Sequence, residues 1–483
     1  MIFIEHINES YVRLKADPGI IHEIGDRFKF LVEGYKFMPA YKCGMFDGYI
    51  RFFNYKTNYF PKGLVPELID FAEEQGYKVK LDPDFIRFTE EIELDIESLI
   101  LPFGLYDYQE ESIERALKKK RQTILASTGS GKSLIIYVIM RMMIRANKKL
   151  LIIVPTISLV SQLFSDFDDY AIDDPSFSAI DYVHQMGDGR VKSNDSPVIL
   201  STWQSLQRLP QSFFEVFEMV ICDEVHVAKA DQLTSILNKC INAFYRLGLT
   251  GTLDDSLANE MTIKSLFGPV HRVTDTKDLM DRGILSEIEV NAIVLRHKAQ
   301  VPPNLTYAQE MDYLVRHTAR NNLITGFIGS LPGNSLVLFQ YVEKHGKVLE
   351  KLLIEVAKKT NKELYFVYGG TDSEDREKIR KLAEKKNNII ICALLPVFSA
   401  GVNIKNLHNV IFASSTKSKI RVLQSVGRGL RLHETKDKMR LYDFADDLRG
   451  NSKKMNHALR HFMNRLEMYQ KERFPVKITQ LDL

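Results

Sequence analysis

Ala126-Ser127-Thr128-Gly129-Ser130-Gly131-Lys132-Ser133 follows a short apolar run, residues 123–125, and opens into a longer one, residues 134–143. The order apolar run, small flexible residues, apolar run predicts a strand, a phosphate loop and a helix. Glycines let backbone N–H groups turn inward on phosphate oxygens, and the helix N-terminus adds partial positive charge. Lys132 then reaches the β and γ phosphates, and the Ser133 hydroxyl ligates magnesium. Thr128, Gly129, Ser130 and Gly131 complete the cradle. Ala126 stands where the strict GxxxxGK[ST] pattern has glycine, so the surroundings decide the reading. About ninety residues on, the short apolar strand Met219-Val220-Ile221-Cys222 ends in Asp223-Glu224-Val225-His226. Two carboxylates therefore stand at the C-terminal end of a strand, where ligands of α/β sheets collect.

Length and composition set the scale. The 483 residues exceed one ordinary domain and suggest about three. With 45% hydrophobic and 26% charged residues the chain has the make-up of a soluble globular protein. No apolar run approaches the roughly 20 residues that cross a bilayer, and the N-terminus lacks the basic start of a signal peptide; a cytoplasmic protein without a membrane partner is expected. Cys43, Cys222, Cys240 and Cys392 form no CxxC pair, which removes the usual zinc frameworks and predicts buried, reduced thiols.

Net charge is only +3, but it is unevenly spread. Residues 401–483 hold 17 Lys/Arg against 8 Asp/Glu, whereas the first 100 hold 12 against 18. A basic C-terminal end suits a polyanionic partner. Lys453, Lys454, Arg460, Arg465, Lys471 and Arg473, interleaved with Phe462, Tyr469 and Phe474, predict a basic helix there, either facing the partner or packed on its neighbour.

Two sets of apolar, β-branched runs alternate with helical patterns. The first is residues 123–126, 150–154, 198–200, 219–222 and 245–249; the second is 335–339, 364–368, 388–392, 409–413 and 440–443. Alternation of this kind predicts parallel sheets covered on both faces, hence an α/β fold of two tandem parallel-sheet lobes. Gly283, Pro302 and Pro303 place the join between them. The expected organisation is a small α+β domain at 1–95, a first lobe at 96–285, a second at 286–450 and a helical extension at 451–483.

Further motifs sharpen the chemistry. Asp223-Glu224-Val225-His226 resembles the DEAH box, in which Asp223 holds Mg²⁺ and Glu224 orients and deprotonates the attacking water. Tyr108-Gln109 resembles the helicase Q-motif, whose glutamine pairs with adenine. Gln424-Ser425-Val426-Gly427-Arg428-Gly429-Leu430-Arg431 fits QxxGRxxR. Arg428 and Arg431, three apart, share a helix face and are expected to stabilise the γ-phosphoryl charge from across a cleft. Leu249-Thr250-Gly251-Thr252 resembles motif III. Gly401 and Asn403 lie in a stretch resembling motif V, with Asn403 where many relatives carry Asp. Pro155 and Thr156, Thr202, Gln340, Gly369 and Ser399 occupy positions resembling the nucleic-acid-contacting motifs. The lone Trp203 is read as core rather than as a stacking platform.

Taken together these motifs resemble superfamily 2 helicases, which implies that the two tandem lobes are RecA-like, with ATP and Mg²⁺ as cofactors and a nucleic acid as track. A closer resemblance, to the UvsW-type helicases of T-even bacteriophages, rests on Gly34-Tyr35-Lys36-Phe37-Met38-Pro39, Gly44 to Arg51, Val397-Phe398-Ser399, Lys405 to His408 and Lys417 to Ile420. It implies an ATP-dependent DNA helicase acting on forks, D-loops, R-loops and Holliday junctions in phage recombination, repair and replication, with branched DNA or RNA–DNA hybrids and phage recombination or single-strand-binding proteins as partners. Lys36, Lys42, Arg51 and Lys56 then become candidate duplex contacts, with a purely structural cap as the competing reading. The motor motifs alone also fit a DEAH-type RNA helicase or the motor subunit of a restriction complex.

Overall fold

The computed structural model describes the chain except residues 87–91, 93, 94, 188, 227–229, 254, 255, 299–304, 400–403, 417–421, 423, 424, 428 and 451. It divides into two compact units, one of Met1–Ala126 with Gly131–Val273, the other of Ser127–Ser130 with Thr274–Leu483.

The first unit opens with a four-stranded sheet built from β1 (Ile2–His6), β2 (Tyr11–Lys15), β5 (Tyr59–Pro61) and β6 (Val79–Leu81), in the order β5-β2-β1-β6. A separate ribbon pairs β3 (Lys29–Leu31) with β4 (Tyr49–Arg51). Alternation in β1 and β2 turns Ile2, Ile4, Val12 and Leu14 to one buried face, where Leu64, Leu68 and Phe71 cover them.

Polar and apolar contacts alike join this small domain to the rest of the unit. Ala258 and Met261, from the helix Leu257–Phe267, belong to its core. A Cβ at Gly63 would strike the carbonyls of Lys264 and Ser265, so that close approach requires glycine. Glu9 is buried between Lys62, at 2.7 Å, and Arg121, at 3.2 Å. Burial pushes the Glu9 carboxyl up, yet Arg121 and Lys62 outweigh it and hold it below its usual range.

The larger sheet of this unit contains β7 (Arg121–Ala126), β8 (Leu150–Val154), β9 (Val183–Met186), β10 (Val198–Thr202), β11 (Met219–Cys222), β12 (Tyr245–Thr250) and β13 (Val270–Thr274), in the order β13-β7-β12-β11-β8-β10-β9. Every residue of β8, β10, β11 and β12 is buried, as expected of parallel strands covered on both faces. The helix Lys132–Arg145 buries residues 134–143. Arg141, within that run, is neutralised by Asp174 at 2.8 Å and lies 4.3 Å from the centre of the Phe177 ring.

The second unit carries β14 (Glu287–Arg296), β15 (Ser335–Phe339), β16 (Glu363–Val367), β17 (Ile389–Leu394), β18 (Asn409–Phe412), β19 (Lys438–Asp447) and β20 (Val476–Asp482), in the order β16-β17-β15-β18-β19-β14-β20. The described strand pairs of this sheet are all parallel. Two stretches differ from expectation. The segment read as a join contains β14, an interior strand, and the stretch read as a helical extension holds the helix His457–Lys471 followed by the edge strand β20.

The basic helix is a packed element. Arg465 is 1% exposed and makes two hydrogen bonds to Asp443, at 2.8 and 2.7 Å, and the Tyr469 hydroxyl donates to the same carboxylate. Phe462, Tyr469 and Phe474 are buried beside it. Glu310, on the helix Tyr307–Arg316, accepts from the backbone N–H groups of His457 and Ala458 and so caps the first turn of that element. Among the cysteines, Cys222, Cys240 and Cys392 are buried as expected, but Cys43 is exposed.

Candidate nucleotide and nucleic-acid site

Parallel pairing brings the ends of β7, β12, β11, β8 and β10 to one edge of the first large sheet in that lateral order. The edge thus presents, in turn, the phosphate loop, Thr250, Asp223-Glu224, Pro155-Thr156 and Thr202. Chain topology collects motifs that lie far apart in the sequence, a consequence of strand order that linear spacing does not reveal.

The loop has the backbone its glycines imply. Gly129 and Gly131 have φ of +89° and +83°, a region that costs L-residues energy. Lys132 starts the helix and its Nζ donates to the Ala126 carbonyl at 3.0 Å, bending the side chain back over the loop. Ser130 is buried, its N–H donating to Ser127. Thr128 lies in the same turn.

Asp223 donates its N–H to the Ile153 carbonyl, and its Oδ1 accepts from the Glu224 N–H at 2.9 Å. Burial and the neighbouring Glu224 charge push the Asp223 carboxyl well above its usual range, with Lys132 pulling the other way. Among the described residues, two adjacent carboxyl groups with the Lys132 ammonium nearby form a site that a divalent cation would suit. Glu224 adopts φ of +49°, unusual for a residue with a side chain. Its Oε2 is buried, makes no hydrogen bond among the described residues, and lies 3.4 Å from His226 Nδ1. The same nitrogen is 2.5 Å from Thr250 Oγ1, which donates onward to the Thr252 carbonyl at 2.7 Å. Because that hydroxyl spends its proton on Thr252, His226 is the donor, with its proton on Nδ1. The DEVH box and the Thr250 turn are therefore one hydrogen-bonded assembly.

Gln109 is buried at the start of the helix Asp107–Lys119, where its Oε1 accepts from the Tyr106 N–H at 3.0 Å. A Cβ at Gly131 would collide with its Nε2, so the carboxamide abuts the phosphate loop while also capping a helix. Tyr108 is buried and stacks on the more exposed Tyr106 with ring centres 5.6 Å apart. Tyr106, in the same Q-motif stretch as Tyr108, is the more open of the two rings.

The candidate nucleic-acid residues separate into two kinds. Thr156 and Thr202 cap the helices Ile157–Tyr170 and Trp203–Leu206, accepting from the Leu159 and Ser205 N–H groups. Their side chains shape the loops. Pro155 is buried and its carbonyl accepts from Gln204 Nε2 at 3.3 Å, tying the two loops together. Trp203 packs on the apolar core as read. In the second unit, Gln340, Gly369 and the helix Leu395–Ser399 lie just beyond the ends of β15, β16 and β17, again along one sheet edge. Gln340 has a buried Oε1 without a hydrogen-bond partner among the described residues. The Gly369 carbonyl accepts from Arg376, which braces that turn.

Arg431 holds its backbone against Leu285 and Ser286. Gly401, Asn403 and Arg428 lie outside the described residues, as does the side chain of Ser399. In the small domain Lys42 ends the helix Pro39–Lys42 and is exposed, while Arg51 is engaged in a two-pronged ion pair with Asp47. No group of metal-ligating His, Cys, Asp and Glu is found among the described residues, and no described helix is long and apolar enough to cross a membrane.

Three stretches of the chain match known protein families. Residues 2–82 match the model of the N-terminal domain of DNA helicase UvsW, residues 102–255 that of the type III restriction enzyme res subunit, and residues 320–433 that of the helicase conserved C-terminal domain. The ATP-dependent DNA helicase uvsW of Enterobacteria phage T4 is 32% identical over 98% of this chain and 98% of its own. A probable helicase D10 of Escherichia phage T5 is 25% identical over about half of each chain. The crystal structure of T4 UvsW covers 100% of this chain and 99% of its own, with 30% identity and a TM-score of 0.52. A fragment of a putative HsdR subunit of a type I restriction enzyme from Vibrio vulnificus, at 17% identity and a TM-score of 0.59, shares the fold over 87% of this chain and 83% of its own. With its N-terminal module, phosphate loop, DEVH box and second RecA-like sheet matched from end to end, the chain belongs to the UvsW family of ATP-dependent DNA helicases.

Proposed function

We propose that this protein couples ATP hydrolysis to the remodelling of branched DNA, including forks, D-loops, R-loops and Holliday junctions, in phage recombination, repair and replication within the host cytoplasm. The observation that carries the reading is the end-to-end similarity to a phage helicase, small N-terminal domain included.

The residues fit the nucleotide and its cation. Loop N–H groups and Lys132 would hold the phosphates, and Ser133 with Asp223 would hold Mg²⁺, whose charge neutralises phosphate oxygens when it is bound. Glu224 supplies the base: its Oε2, which makes no hydrogen bond among the described residues, accepts a proton from water, while the His226 Nδ1 proton is given to Thr250. Arg428 and Arg431 are assigned to the γ-phosphoryl charge on their QxxGRxxR pattern.

DNA contact by the small domain is assigned to Lys42 and Arg51. Removing the domain is a poor test, because it would strip Glu9 from Arg121 and expose Ala258 and Met261. Charge reversal at Lys42 and Arg51 keeps that interface. The double variant is expected to bind a synthetic fork about tenfold more weakly at low salt, with a shallower salt dependence, while its ATPase without DNA is unchanged. Unaltered fork affinity would remove this domain from the DNA path. For the motor, Lys132→Ala is expected to abolish fork unwinding and leave fork binding intact; retained unwinding would contradict the assignment of Lys132.

A further inference from the structure

Ser133 lies in the first turn of the helix Lys132–Arg145, and its Oγ is 2.7 Å from the hydroxyl of Tyr170, the last residue of the helix Ile157–Tyr170. The Tyr170 ring is held edge-on by Phe103, with centres 5.9 Å apart, and tilted against Tyr137 at 5.5 Å. Tyr137 is fully buried and its own hydroxyl already accepts from Arg141 at 2.7 Å. Of the two phenols beside this turn, Tyr170 is the one directed at Ser133.

We propose that Tyr170 is a positioning residue for the divalent cation: its phenolic oxygen accepts the Ser133 proton and so points the serine lone pairs at the cation. The inference rests on the reading of Ser133 as a cation ligand. A serine hydroxyl has one proton and two lone pairs. When a lone pair serves a cation, electrostatics turns the proton away, and the proton needs an acceptor on the far side. A neighbouring group that satisfies it fixes the ligand's rotamer before the cation arrives, as outer-shell hydrogen bonds do at other metal sites. Packing against Phe103 and Tyr137 supplies the rigidity such a role requires.

The test is binding of a fluorescent ATP analogue to the full-length protein, titrated with Mg²⁺ and compared with the same measurement in EDTA. Tyr170→Phe keeps the ring and removes the hydroxyl. It is expected to raise the half-saturating Mg²⁺ concentration about tenfold and to leave the affinity in EDTA unchanged. Ser133→Ala is measured beside it. If Ser133→Ala shifts the Mg²⁺ requirement and Tyr170→Phe does not, Tyr170 has no positioning role. If Tyr170→Phe weakens binding equally with and without Mg²⁺, the residue only supports the fold, and the proposal fails. If Ser133→Ala itself leaves the Mg²⁺ dependence unaltered, the reading of Ser133 as a ligand fails first and takes the proposal with it.

Discussion

Glu224 combines a strained backbone with a buried carboxylate oxygen that has no hydrogen-bond partner among the described residues. A side chain held at φ of +49° costs on the order of 1 kcal/mol. Glu224→Gly is therefore expected to raise the stability of the ligand-free protein by about 1 kcal/mol while eliminating hydrolysis, measured by denaturant unfolding and steady-state turnover. A fall in stability would mean the side chain contributes more to the fold than its geometry suggests. Glu224→Gln keeps shape and strain but cannot take a proton. Its kcat is expected to drop by roughly 10²–10⁴-fold with nucleotide affinity within a few-fold of the original, and near-normal turnover would move the base elsewhere. At this scale the candidate residues were legible: Lys132, Ser133, Asp223 and Glu224 stand out because phosphate and metal chemistry would demand those residue types after strands. The links between them were not. Thr250 meets His226 and Tyr170 meets Ser133 across 24 and 37 residues, and nothing in the linear order marks either pair.

Elements were legible in proportion to how completely they are buried. The run at 150–154 and that at 219–222 match β8 and β11 to the residue, because strands covered on both faces are apolar throughout. The edge strands β9, β13 and β20 escaped notice: each carries His, Arg, Gln or Lys where only one side is covered. β14 is interior, but its first half alternates with Glu287, Glu289 and Asn291, so it read as a connection. The basic helix was open to two readings and takes the packed one, since Arg465, which looks like surface charge, is a buried partner of Asp443.

Two predictions belong to these elements. Glu310→Ala leaves the first turn of the helix His457–Lys471 uncapped inside the protein and is expected to destabilise the second unit by about 2 kcal/mol, read by thermal unfolding. No change would show the cap to be redundant. The second concerns Asp446, buried with Arg320 at 2.7 Å and His297 at 3.0 Å. Burial pushes its carboxyl up, but Arg320 and His297 outweigh it and hold it at about 2, below the value near 4 of an unfolded chain, about 3.9. The folded value is the lower one, so the ionised group contributes stability that is fully present above about pH 4 and lost as pH falls toward about 2. That contribution is about 2 kcal/mol. In Asp446→Asn the portion of acid destabilisation between about pH 4 and about pH 2 is expected to shrink by this amount. An identical acid profile would place the lost proton linkage on another group.

For the whole molecule, the small domain acts as an integral part of the first unit. Glu9 is its polar anchor, and burial lowers its partner Lys62 to about 8 despite the opposing Glu9 charge. Glu9→Ala leaves Lys62 and Arg121 buried without their carboxylate and is expected to cost about 3–5 kcal/mol in thermal unfolding of the first unit. A loss below about 1 kcal/mol would mean that solvent reaches the cluster. Through Glu9–Arg121 and the close approach of Gly63 to Lys264, the domain is fixed to the start of β7 and to the helix Leu257–Phe267, so it is held with the first large sheet.

The central claim, an ATPase driven by branched DNA, is tested most directly by steady-state ATP hydrolysis without nucleic acid and with single-stranded DNA, single-stranded RNA and a synthetic DNA fork, at low and moderate salt. The prediction is strong stimulation by DNA, greatest with the fork, and weakening as salt rises. Stimulation by RNA alone, or no stimulation by any of the three, would contradict it.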